Sequence, residues 1–182
     1  MPRAWEAPSP PLPAGVFVQT VTCIAAACSR DSSPPADAAA AAASTAADTL
    51  PAGEARLAVD GGRIWYKVLG SGTAAPAILL HGGPGYASFY MKSQEALSAD
   101  RPIVRYDQLG AGHSDRITDT AMFNIAHFVR ELDSLRSHLG YDKVHLIGHS
   151  WGTVLGLEYY RAYPERVASL TLMSPALDLK GM

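Results

Sequence analysis

Cysteine is nearly absent from this 182-residue chain: only Cys23 and Cys28 occur, both near the N-terminus, so no disulfide framework holds the rest together. Charge is scarce and balanced, with 15 Lys and Arg against 17 Asp and Glu for a net charge of −2. No run concentrates positive charge, which excludes the basic footprint that nucleic-acid backbones require. No uninterrupted apolar run reaches the roughly 20 residues that span a bilayer as a helix. The best stretch, residues 14–27, is short and broken by Gln19, Thr20 and Thr22. Histidine is missing from the whole chain after His149. His145 and His149 are four apart, but a strand and a turn separate them, so the helical zinc pairing does not apply and neither metal nor cofactor is expected. What remains is 48% hydrophobic, the composition of an ordinary globule, at a length that suggests one folded unit.

Three regions differ in texture. Residues 1–28 read as a leader: AGVFVQTVTCIAAA at 14–27 has the length of a secretory apolar segment and ends in small residues before Cys28. The Ala25-Ala26-Ala27-Cys28 run resembles a bacterial lipobox. That implies lipidation at Cys28 and an extracytoplasmic protein anchored to the cell envelope. The stretch before it, MPRAWEAPSPPLP, matches an export signal poorly, so a cytoplasmic protein with residues 1–53 merely disordered stands as the alternative. Residues 29–53, rich in Ala, Ser, Thr, Pro and Asp with almost no large side chains, cannot bury enough surface to offset their ordering entropy and read as a tether.

From Glu54 to Met182 short apolar runs alternate with helical patterns. Residues 55–59 and 63–69 flank Asp60-Gly61-Gly62, a hairpin signal. Residues 77–80 and 103–106 read as buried parallel strands, with a helix over 89–99 between them. Ile125, Phe128, Val129, Leu132, Leu135 and Leu139 recur at helical spacing, with Asn124 as cap and Gly140 as stop. A strand at 144–147, a helix at 152–163 halted before Pro164, and a strand at 167–173 complete an α/β pattern with a mainly parallel sheet.

The chemistry lies between the last helix and the strand before it. KVHLIGHSWGT at 143–153 places Gly148-x-Ser150-x-Gly152 on a strand-to-helix turn, the context a nucleophile elbow demands. Such a turn strains the serine backbone and brings the residues two before and two after it nearly into contact, so Gly148 and Gly152 supply the room. Ser150 then stands at a helix N-terminus, where the Trp151 N–H is free to stabilise an oxyanion. A second donor is expected from His81-Gly82-Gly83-Pro84-Gly85, directly after the strand at 77–80. Gly83 is the candidate, because a side chain there would obstruct the approaching carbonyl.

HGGPG at 81–85, YDQLGAGHSD at 106–115 and GHSWGT at 148–153, followed by EYYRAYPERVASLTLMSPA, resemble the proline iminopeptidase family of the α/β-hydrolase superfamily across essentially all of 54–182. The resemblance implies an α/β-hydrolase fold. It also implies a serine hydrolase that releases N-terminal residues, often proline, from small peptides or amides through an acyl-enzyme. Ser150 carries over as nucleophile, with Gly83 and Trp151 as oxyanion donors. Asp107 and Gln108 belong to the family's loop motif and read as shaping the site, since the triad acid of this fold follows its serine.

Here the sequence departs from the family pattern. After Ser150 the only acids are Glu158, Glu165 and Asp178, and no histidine follows. Neither the triad Asp and His nor the helical cap after the sixth strand, whose acidic residues hold a substrate's free amine in this family, is in the chain. The expectation is an N-terminal part of a longer hydrolase, nearly inert as written. Of the six histidines, His149 adjoins Ser150 with its ring turned away by the elbow, His81 opens the oxyanion loop as a structural hydrogen-bonder, and His127 and His138 sit on a helix, solvated or packed. An esterase or amidase on the same scaffold remains open. So does a non-catalytic lipoprotein or pseudoenzyme. Epoxide hydrolases are disfavoured because they commonly place a carboxylate where Ser150 stands.

Overall fold

A computed structural model describes residues 52–176. Cys23, Cys28, the proposed leader and all but the last two residues of the tether lie outside the described residues. Strands β1 (Gly53–Val59) and β2 (Gly62–Leu69) form the expected hairpin around Asp60 and Gly61. Next come β3 (Ala77–Leu80), a 3₁₀ helix over Ser88–Ala99, β4 (Ile103–Asp107), α1 (Ile125–His138), β5 (Val144–His149), α2 (Trp151–Ala162) and β6 (Val167–Met173). Asn124 caps α1 by accepting the His127 N–H at 2.8 Å, and Gly140 follows its C-terminus in the left-handed region at φ 78°.

The six strands form one sheet in the order β1-β2-β4-β3-β5-β6. The β1–β2 and β2–β4 pairs are antiparallel, whereas β3 pairs in parallel with both β4 and β5, and β5 with β6. All four residues of β3 are buried because both of its faces are covered. Alternation sends Ile78 and Leu80 into the larger core with Leu132, Leu135, Leu155 and Tyr159 of the two α-helices. It sends Ala77 and Leu79 to the opposite face, against Met91 of the 3₁₀ helix.

That 3₁₀ helix is where the structure refines the sequence pattern. Residues 89–99 were expected to be helical, but only Ser88 and Met91 of the segment are buried and its first turn has no side-chain cap. With one fully buried apolar side chain in 12 residues and Tyr90 only partly covered beside it, little tertiary packing favours the regular α form.

The chain leaves β3 for β4 on one side of it, then crosses back to β5 on the other. The ends of β3, β4 and β5 therefore open onto a topological switch point, the crevice where ligands bind in open α/β sheets.

Candidate active site

Three segments meet at that crevice: His81–Gly85 after β3, Gln108–Ser114 after β4, and Ser150 after β5. Ser150 adopts φ 52° and ψ −118°, a conformation that costs a non-glycine residue on the order of 1–3 kcal/mol and persists only when its surroundings impose it. They do so here. The Ser150 N–H donates to the carbonyl of Met173 at the end of β6, 3.1 Å away, and its carbonyl accepts the N–H and hydroxyl of Thr153 at 2.9 and 2.6 Å.

The two flanking glycines leave no alternative residue. A Cβ on Gly148 would collide with the carbonyl of Gly152, and one on Gly152 would collide with the carbonyl of Leu80 on β3. Ser150 itself is half-buried at the mouth of the crevice.

The glycine loop lies against this turn. A Cβ built on Gly82 would sit 3.3 Å from Ser150 Cβ, 3.2 Å from the Tyr90 hydroxyl and 3.5 Å from His149 Nδ1. The Gly82 N–H is already committed, donating to the Tyr90 hydroxyl at 2.7 Å, and that hydroxyl is hydrogen-bonded in turn to His149 Nδ1 at 2.9 Å. Tyr90, a residue that the sequence motifs did not single out, thus bridges Gly82 and His149. The N–H groups of Gly83 and of Trp151, the first residue of α2, have no protein partner among the described residues.

Glycine at position 83 is required first by the loop itself. Its φ is 127°, and a Cβ would lie 2.6 and 2.7 Å from the backbone nitrogens of Gly85 and Tyr86.

Gln108 ties the three strand ends together. Its backbone N–H donates to His81 Nε2 at 2.9 Å, its side-chain amide N–H donates to the His81 carbonyl at 3.2 Å, and its Oε1 accepts the Trp151 indole N–H at 3.1 Å. Because His81 Nε2 accepts, its proton sits on Nδ1, which donates to the Gly82 carbonyl at 2.8 Å. Burial of this ring lowers its pKa and keeps it neutral, outweighing its contact with the Gly82 carbonyl and the charge of Asp107.

Asp107 is spent inside the loop motif. One oxygen accepts the N–H and hydroxyl of Ser88 at 2.7 and 2.6 Å, and the other accepts the N–H and ring Nδ1–H of His113 at 2.9 and 3.1 Å. Burial alone would raise its pKa, but the donors from His113 and Ser88 prevail and lower it. A fully occupied carboxylate that shapes the loop fits the sequence expectation for Asp107.

One ionisable group near the site was missed. Glu131 of α1 is 2% exposed, and its Oε2 accepts the Leu109 N–H at 3.0 Å. Burial raises its pKa from 4.5 to about 8, against the lowering effect of that hydrogen bond. A carboxyl with a raised folded-state pKa holds its proton more tightly when folded, so the contribution of Glu131 to stability is fully present below pH 4.5 and is lost as pH rises toward 8. Relative to a Glu131→Gln variant, the protein should lose on the order of 3 kcal/mol between pH 5 and pH 8, measured by urea denaturation at both values. Parallel curves for the two proteins would show that Glu131 is ionised throughout.

With this geometry in view, a family model described as alpha/beta hydrolase fold matches residues 76–181. The chain belongs to that hydrolase family. Its resemblance to proline iminopeptidases also holds over most of the folded region: the proline iminopeptidase of Heyndrickxia coagulans is 42% identical over 126 residues, which are 69% of this chain and 44% of the relative. Among solved structures, the proline iminopeptidase of Mycobacterium smegmatis superposes with a TM-score of 0.62 at 30% identity, covering 67% of this chain and 44% of that one. VinJ superposes at 0.64 with 32% identity, covering 69% and 45%. The hydrolase chain spans a little under half the length of the curated relatives it matches.

Proposed function

We propose that the chain carries the nucleophile and oxyanion half of a serine aminopeptidase of the proline iminopeptidase type. Ser150 attacks the carbonyl of an N-terminal residue, often proline, in a small peptide or amide. The Gly83 and Trp151 N–H groups receive the oxyanion, and the amine leaves to give an acyl-enzyme on Ser150. The carrying observation is the strained Ser150 turn facing a glycine loop whose Gly82 N–H is taken by Tyr90, which leaves Gly83 as the next donor.

A base for Ser150 is still required. His149 is bonded to Tyr90 and His81 is buried on Gln108, and neither ring is hydrogen-bonded to the Ser150 hydroxyl among the described residues. The proposal therefore needs an acid and a histidine encoded after Met182 in the same frame, and reading the gene downstream tests this. Substrate class is tested on the product of that frame with prolyl and alanyl arylamides beside a panel of simple esters. Release of arylamine is the expected result. Turnover of esters alone would assign the site to an esterase.

A further inference from the structure

The links that join the strand ends continue behind the site to α1. The Leu109 N–H leaves the sheet at the end of β4, where a buried donor needs an acceptor, and Glu131 Oε2 is that acceptor. Leu109 directly follows Gln108, so this bond fixes the main chain from which the Gln108 side chain projects. The other carboxyl oxygen, Oε1, has no partner in the chain among the described residues. Neither has His127 Nε2, one turn earlier on the same helix, nor the Tyr106 hydroxyl. A cavity of about 20 Å³ beside Glu131 and His127, lined also by Val59, Asp60, Arg130 and Ser134, has room for one water with polar neighbours.

We propose that Glu131 is a positioning residue for the candidate active site: its hold on the Leu109 N–H sets the place of Gln108, and through Gln108 the spacing between the glycine loop and the Ser150 turn. This rests on the reading of Gly83 and Trp151 as oxyanion donors, because that spacing is what separates them. Without the carboxyl, a buried N–H loses its acceptor, and the backbone at 108–109 turns to find another. The Gln108 amide then swings off both the Trp151 indole and the His81 carbonyl. A purely structural glutamate would weaken the packing of α1 and leave the indole bond in place.

Four ionisable groups face Glu131: Tyr106 from β4, Asp60 from the β1–β2 turn, and His127 and Arg130 from α1 itself. Burial, with the Glu131 charge beside it, holds Tyr106 protonated far above neutral pH, and burial also lowers the His127 pKa. Between pH 7 and 9 the charge change at this cluster is therefore that of Glu131, near pH 8.

The test is a ¹H–¹⁵N titration of the full chain from pH 7 to 9, with the Trp151 indole N–H as reporter and a Gln108→Leu variant marking its unbonded position. The Leu109 amide and the Trp151 indole should shift with one midpoint near 8, and both should be flat in Glu131→Gln. That variant keeps an oxygen on the Leu109 N–H, so its indole signal should hold the wild-type position. In Glu131→Leu the indole should move toward the Gln108→Leu position and exchange at least about tenfold faster with solvent. If Glu131→Leu does not fold, the wild-type and Glu131→Gln titrations decide. An indole signal that ignores pH in the wild type overturns the proposal. The readout does not depend on turnover: a coupled indole beside an unreactive Ser150 would sink the catalytic reading and leave the coupling standing.

Discussion

Replacing Gly152 with Ala is expected to unfold the chain or to destabilise it by more than about 3 kcal/mol, although one methyl group is a small change. The added carbon would occupy the position of the Leu80 carbonyl, which is backbone of a central strand buried on both faces and cannot rotate away. Gly156, one helical turn further along α2, is the internal control. There a Cβ would meet the tip of the Leu170 side chain at 2.8 Å and the tip of Leu80 at 3.3 Å, both movable, while the helix gains from losing a glycine. Gly156→Ala should therefore change stability by less than about 1 kcal/mol in the same urea titration. Similar effects at both positions would mean that α2 does not press on the end of β3 as described.

The second large effect concerns turnover. A serine that lacks its base loses on the order of 10⁶ in kcat, retaining only what the oxyanion donors and binding supply. The 182-residue polypeptide should thus release arylamine from prolyl arylamides at close to background rate. A product of the extended reading frame carrying the acid and the histidine should recover roughly that factor, and Ser150→Ala in it should abolish the gain. Ser150-dependent turnover by the 182-residue chain at ordinary enzymatic rates would mean that His149 leaves Tyr90 and acts as base.

Local periodicity made much of the fold legible. The strand at 167–173 has the bounds read from its apolar run, and α1 begins where Asn124 offers a cap. The sheet order was not legible, because the placement of β3 between β4 and β5 depends on pairings between distant segments that no local pattern encodes. The glycine-marked segments were singled out by composition, since two turns that exclude a Cβ declare themselves as glycine.

The hydrogen-bonded frame behind them was harder to see. Tyr90 lies in a segment without a regular apolar stripe, and nothing in its spacing indicates that it reaches both Gly82 and His149. Glu131 did leave a signal. It stands three residues after Phe128 and four before Leu135, within the stripe that α1 buries, and a carboxyl on an apolar stripe needs a polar partner.

Covalent capture tests the Ser150 assignment most directly. The product of the extended reading frame is incubated with a fluorophosphonate probe and the modified peptide is identified by mass spectrometry, with Ser150→Ala alongside. A rapidly formed adduct confined to Ser150 and absent from the variant is expected, because the turn and the two N–H groups direct attack there once the downstream histidine supplies the base. Label scattered over other hydroxyls, with none enriched at Ser150, would contradict the assignment of Ser150 as the nucleophile.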